Sequence, residues 1–134
     1  MLKISEIRQS IIEKLRNDIT DFEVMPFPNK PQDFVLTHPK GALLVAFDGL
    51  NFSEPTTTQQ FYTLTINITL CFNSAIDSEC MLNDIDRVRQ AVTNEYYVYG
   101  AKFYCVSINP LGEEDNIWFH RLKFLLPGII MQGE

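Results

Sequence analysis

The chain has 134 residues, of which 46% are hydrophobic, an ordinary composition that fits one domain able to bury a core without disulfide staples. Its net charge of −6, with basic residues scattered and the closest group being Lys30, His38 and Lys40, excludes binding along a nucleic-acid backbone. The longest apolar runs, Gly41 to Phe47 and Phe124 to Met131, fall well short of the roughly 20 residues that cross a bilayer, so no membrane partner is expected.

From Leu2 to about Asn17, Ile4, Ile7, Ile11, Ile12 and Leu15 recur at helical spacing, with Lys3, Glu6, Arg8, Glu13, Lys14 and Arg16 on the other face. This predicts an amphipathic helix whose stripe packs on a sheet. A short strand over Phe22 to Met25 is expected to stop at Pro26-Phe27-Pro28-Asn29-Lys30-Pro31, where three prolines hold the backbone stiff. Gln32 to Thr37 has no clear period, and His38-Pro39-Lys40-Gly41 reads as a turn. Ala42 to Phe47 is apolar on both faces, as a central strand is, and Asp48 to Thr58 reads as a polar loop.

Gln60 to Phe72 alternates without a fault. Tyr62, Leu64, Ile66, Ile68, Leu70 and Phe72 point one way; Thr63, Thr65, Asn67, Thr69 and Cys71 point the other. At about 3.3 Å per residue the strand would span roughly 40 Å, against a usual length of roughly 5–6 residues. Its polar side carries no charge, whereas strands left exposed usually carry Lys or another charge against edge pairing. Such a face is suited to meeting other protein, or to being covered by a helix or loop of the same chain.

Asp77 or Ser78 is expected to cap a second helix running to about Thr93. Its stripe is Met81, Leu82, Ile85, Val88 and Val92, with Asp84, Asp86, Arg87 and Arg89 in solvent. Tyr96 to Tyr99 lead through Gly100 into a strand at Lys102 to Asn109. Pro110 to Asn116 forms a turn, and Ile117 to Leu126 a final strand. The sum is an α+β fold, two helices packed on a mostly antiparallel sheet in a single domain over residues 1–134.

No set of residues builds an active site. His38 precedes a proline in a turn, and His120 sits on a strand among Trp118, Leu122 and Phe124, without a nucleophile or second base at useful spacing. Zinc would need several ligands at short spacing, and Glu113-Glu114-Asp115 lacks the Asp-x-Asp-x-Asp-Gly pattern of a calcium loop. No cofactor or metal is expected, and no enzymatic activity. Cys71, Cys80 and Cys105 form no Cys-x-x-Cys pair and read as reduced packing residues. The opening Met1-Leu2-Lys3-Ile4-Ser5-Glu6 shows no apolar core before a small-residue cleavage site, so the protein is expected to stay inside the cell.

The ordered features from Ile4 to Pro127 carry a family resemblance. They are the N-terminal helix, the stiff Pro26 to Pro31, Leu36-Thr37-His38-Pro39-Lys40-Gly41-Ala42, the alternating strand, the second helix and Gly112-Glu113-Glu114-Asp115-Asn116-Ile117-Trp118. In these the chain resembles the small tail-completion, or tail-terminator, proteins of Mu-like contractile-tailed phages and prophages. The tyrosines around Tyr96, Tyr97 and Tyr99 depart from that pattern. The resemblance implies a non-enzymatic hexameric ring on the head-proximal end of the tail tube. Its partners would be further copies of itself, tube and possibly sheath protein, and the neck or connector. Its location would be the bacterial cytoplasm during assembly and then the virion or tail-like particle. Candidate contact residues are Thr63, Thr65, Asn67 and Thr69 on the uncharged strand face and Glu113, Glu114 and Asp115 on the acidic turn, with the loop from Asn51 to Thr58. Two other readings are a neck or head-completion adaptor of the same particle, and a small ligand-binding domain or enzyme using His120 with Glu113 or Glu114.

Overall fold

A computed structural model describes residues 3–31, 34–52, 61–94, 96–98 and 100–130. In chain order these form α1 (Ile4–Asp18), β1 (Glu23–Pro26), β2 (Gly41–Phe52), β3 (Phe61–Asn73) and α2 (Ser78–Thr93). There follow β4 (Tyr97–Val98), β5 (Ala101–Lys102), β6 (Tyr104–Glu114) and β7 (Ile117–Ile130). The main sheet has the order β1-β2-β3-β7-β6, and β4 with β5 makes a separate small hairpin. Every neighbouring pair of the main sheet is antiparallel except β1 with β2, which run parallel. The fold is therefore α+β, as the periodicities predict.

β3 occupies the middle of the sheet, and its alternation decides which side the helices take. Leu64, Ile66, Ile68, Leu70 and Phe72 are fully buried on one face with Leu43 and Val45 of β2 and Leu122, Phe124 and Leu126 of β7. Ile7, Ile11, Ile12 and Leu15 of α1 and Met81, Ile85, Val88 and Val92 of α2 close that face. Burying one such aliphatic side chain is worth about 1.5–3 kcal/mol, so this layer is the main source of stability.

The second helix corrects two expectations at once. Leu82 is exposed, and Asp84 is buried in its place. At 100° per residue, position 84 falls beside the line through Met81, Ile85, Val88 and Val92, whereas position 82 falls well outside it. A carboxylate there needs partners. Asp84 Oδ1 accepts from Arg87 Nη1 at 2.8 Å, and Lys40 Nζ lies 3.4 Å from its Oδ2. Lys40 and Arg87 also both grip Asp21. The four side chains thus tie the turn after α1, the start of β2 and the face of α2 together. Asp77, the expected cap, accepts from the Cys80 amide at 3.0 Å.

Strand lengths exceed the expectations wherever a local rule is broken at a bulge or edge. β2 runs on through Asp48 to Phe52, with a bulge between Phe47 and Gly49. Pro110 and Leu111 lie inside β6 at a second bulge, so the predicted turn shrinks to Asp115 and Asn116. β6 is an edge strand, where a proline's missing N–H costs no ladder bond. Pro127 lies inside β7 beyond Leu125, the partner of Tyr104 at the start of β6, where the β6–β7 ladder has ended. Of the loop expected over Asn51 to Thr58, Asn51 and Phe52 belong to β2, and residues 53–60 lie outside the described ones. Tyr97 and Val98 enter the small hairpin, while Tyr96 stacks on Phe103 and shares a hydrogen bond with Ser10 of α1.

Two predictions test this architecture. A Cβ added at Gly41 would sit 2.2 Å from the Cys71 carbonyl oxygen and 2.7 Å from the Phe22 ring, so Gly41→Ala forces β2 away from β3. Urea denaturation should show a loss of at least about 2 kcal/mol; an unchanged midpoint would contradict the close approach. The second concerns acid. Arg87 beside Asp21, with Lys40, holds that carboxyl well below the usual range. Its contribution is therefore complete above its unfolded value of about 4 and is lost as pH falls through the folded value. Thermal melts from pH 6 to 2 should fall less steeply for Asp21→Asn than for the wild type, and parallel slopes would remove Asp21 from the account.

Candidate interaction surface

The second face of the sheet is built from the residues that the β3 alternation turns away from the helices. Register places Leu44 and Arg121 beside Thr69, Ala46 and Lys123 beside Asn67, and Gly49 and Leu125 beside Thr65. Ser107 and Asn109 of β6 continue the rows past Lys123 and Arg121. The face is therefore charged. The uncharged side of β3 is flanked by two cations of β7, which strand periodicity alone could not bring into register. Arg121 is exposed and Lys123 half-buried, and neither forms an ion pair among the described residues.

One end of this face is covered by the chain's own proline-bounded segment. Ala42, Leu44 and Cys71 form a second small core, against which Met25, Phe27, Phe34, Leu36, Ile117 and Phe119 pack. Prolines at 26, 28 and 31 make this arm stiff, so ordering it costs less than ordering a free loop. Cys71 is sealed beneath it, and burial pushes the thiol pKa up to about 12. Cys80, in contrast, is exposed and donates to Asp77, so it is no packing residue.

Between the arm and the β6–β7 hairpin lies a groove of about 790 Å³. Phe27, Phe34 and Leu36 form one wall, Leu111 and Ile117 the other, with Thr69 and Phe119 in its lining. Its polar lining includes Glu114 and Asp115 near the hairpin tip and Arg121 farther along β7.

The predicted contact residues divide accordingly. Thr65 and Thr69 are already buried within one chain, whereas Thr63 and Asn67 are half-buried. Asn67 Oδ1 is buried without a hydrogen-bond partner among the described residues, beside the strand that carries Lys123. Glu113, Glu114 and Asp115 are all exposed. They stand at the tip of a tight hairpin in which Asp115 and Asn116 take φ of 53° and 64°. Positive φ at both central residues is the type I′ geometry that matches strand twist, and Asp and Asn tolerate it better than most side chains.

His120 lies on the other side of β7. Its ring packs edge-on against Phe72 with centroids 5.7 Å apart, and burial lowers its pKa. It makes no hydrogen bond among the described residues, so neither Glu113 nor Glu114 orients it. No group of three or more His, Cys, Asp or Glu side chains could hold a metal ion among the described residues. No described helix is long and apolar enough to cross a membrane.

The family model described as Gp37 protein matches residues 11–133 of the chain. Comparison with curated proteins gives no match.

The two cores differ in weight, which a pair of truncations can measure. Phe72 is fully buried in the main core, whereas Phe34 is only half-buried on the arm. Phe72→Ala should cost about 3–5 kcal/mol in urea denaturation and Phe34→Ala about 1–2 kcal/mol. Equal losses would mean that the arm belongs to the main core.

Proposed function

The chain belongs to the Gp37 protein family, a family of phage proteins, and we propose that it is a non-enzymatic structural part of a contractile tail. The tail would belong to a phage or to a machine derived from one. In this reading the chain forms a hexameric ring on the head-proximal end of the tail tube. The ring ends tube polymerisation and presents a surface to the neck. Its partners are further copies of itself, the tube and possibly sheath protein, and the neck or connector.

The observation that carries the reading is the division of labour between the two faces of the sheet. One face is closed by both helices and supplies the core. The other is covered by the arm at one end, and it leaves Arg121, Asn109 and the acidic hairpin tip exposed and Lys123 half-buried. A small domain that keeps polar and charged groups exposed on its second sheet face is suited to contacts that must be weak in the free subunit and strong in an assembly. The family match over nearly the whole chain supports the phage setting. The packing of His120 against Phe72 supports a structural role for the one histidine in the sheet.

Deleting the gene in a producing strain tests the reading. Electron microscopy should show tails of irregular or excessive length that fail to join heads, with infectivity lost. Tails of uniform, normal length that remain headless would make the protein a neck adaptor, and normal tails joined to heads would exclude both roles.

A further inference from the structure

We propose that neighbouring copies of the chain join head to tail, the acidic tip of one β6–β7 hairpin docking on the Arg121–Lys123 stripe of the next copy's open sheet face. This contact rests on the ring reading and specifies which surfaces make it.

The cations supply the first half of the argument. Lys14, Lys40, Arg87 and Arg89 are each held by a carboxylate of the same chain. Arg121 and Lys123, like Lys3, Arg8, Arg16, Lys30 and Lys102, form no ion pair among the described residues, although the chain carries a net charge of −6. The two on β7 are alternate residues of one strand, so they stand on the same face about 7 Å apart. Their cross-strand neighbours on that face, Thr69, Asn67, Ser107 and Asn109, are uncharged groups that hydrogen-bond. An acidic partner would meet no opposing carboxylate in those rows, although Glu114 and Asp115 line the same groove as Arg121 nearer the hairpin tip.

The hairpin tip supplies the second half. Glu113, Glu114 and Asp115 are exposed and take part in no ion pair among the described residues. The type I′ turn presents them on a short, stiff projection rather than on a loose loop. They do not satisfy the stripe within one subunit. Glu114 lies opposite Ile117, and from there to Lys123 is six strand residues, about 20 Å. Each surface is thus the complement of the other, and neither is paired among the described residues.

Tip and stripe are different surfaces, so their pairing repeats from copy to copy and closes into a ring when the rotation permits. Exposed ion pairs are individually weak and are screened by salt. Such a contact keeps free subunits apart and becomes effective when the tube end brings several together.

Charge reversal tests the pairing. One variant reverses the tip (Glu113→Lys with Glu114→Lys), leaving Asp115 and Asn116 to keep the turn. Another reverses the stripe (Arg121→Glu with Lys123→Glu), and a third carries all four changes. Each is supplied to the gene deletion and, as purified protein, sedimented at low salt over a concentration series. Each half-reversed variant should melt near the wild type, fail to restore tail length, and need at least roughly tenfold more protein to associate. The fourfold variant, and an equal mixture of the two half-reversed ones, should regain both properties. Neutral versions (Glu113→Gln with Glu114→Gln, and Arg121→Gln with Lys123→Gln) keep the test open if a reversal unfolds the chain, and should weaken association on either side.

Half-reversed or neutral variants that assemble like the wild type overturn the contact. So does failure of the fourfold variant to recover, and so does association that stops at a dimer. A deletion with no effect on tails would instead remove the ring reading itself, so the two failures are distinguishable.

Discussion

The fold depends on the alternation of β3. Five consecutive inward positions, Leu64, Ile66, Ile68, Leu70 and Phe72, must leave water together, and a slip of one residue would expose all of them. β3 sits in the middle of the sheet, with β2 and β7 hydrogen-bonded on either side, so its choice of face is imposed on both neighbours. The helices then have only one place to go, and the other face is left to the small core under the arm and to polar and charged residues. The possibility of an assembly surface is in this sense a by-product of the way the core forms.

Sequence legibility follows the same physics. α1, α2 and β3 are readable because their periods of 3.6 and 2 run for many residues, and the start of α2 carries a recognisable signal in the Asp77 cap. The exceptions are positions where tertiary context outweighs a local rule. Asp84 reads as solvated because a carboxylate usually is, yet Arg87 in the same helix and Lys40 far along the chain make its burial tolerable. Asp48-Gly49, Pro110 and Pro127 read as breaks. In the sheet they become bulge or edge positions, where an extra residue or a missing N–H does little harm. The parallel pairing of β1 could not be read, since four residues carry no directional signal.

The candidate surface was legible in part. The uncharged side of β3 and the acidic run at Glu113 to Asp115 stand out from sequence, because both are local patterns. Arg121 and Lys123 were unremarkable in the sequence, being two polar positions of a mixed strand. Only the register of β7 against β3 sets them beside Thr69 and Asn67. The cover over Thr69 was equally hidden. The sequence from Pro26 to Thr37 has prolines and aromatics but no period, so nothing local shows that Phe27, Phe34 and Leu36 fold back over Ala42, Leu44 and Cys71.

The central claim is that the helix-covered face folds the protein and the open face meets its partners. Lysine acetylation read by mass spectrometry, on free protein and on purified tails, tests it most directly. Lys3 and Lys14 report on the helix layer, and Lys123 on the open face. The account predicts that Lys123 loses reactivity in the tail while Lys3 and Lys14 keep theirs. Protection of Lys3 and Lys14 with Lys123 as reactive as in the free chain would contradict it.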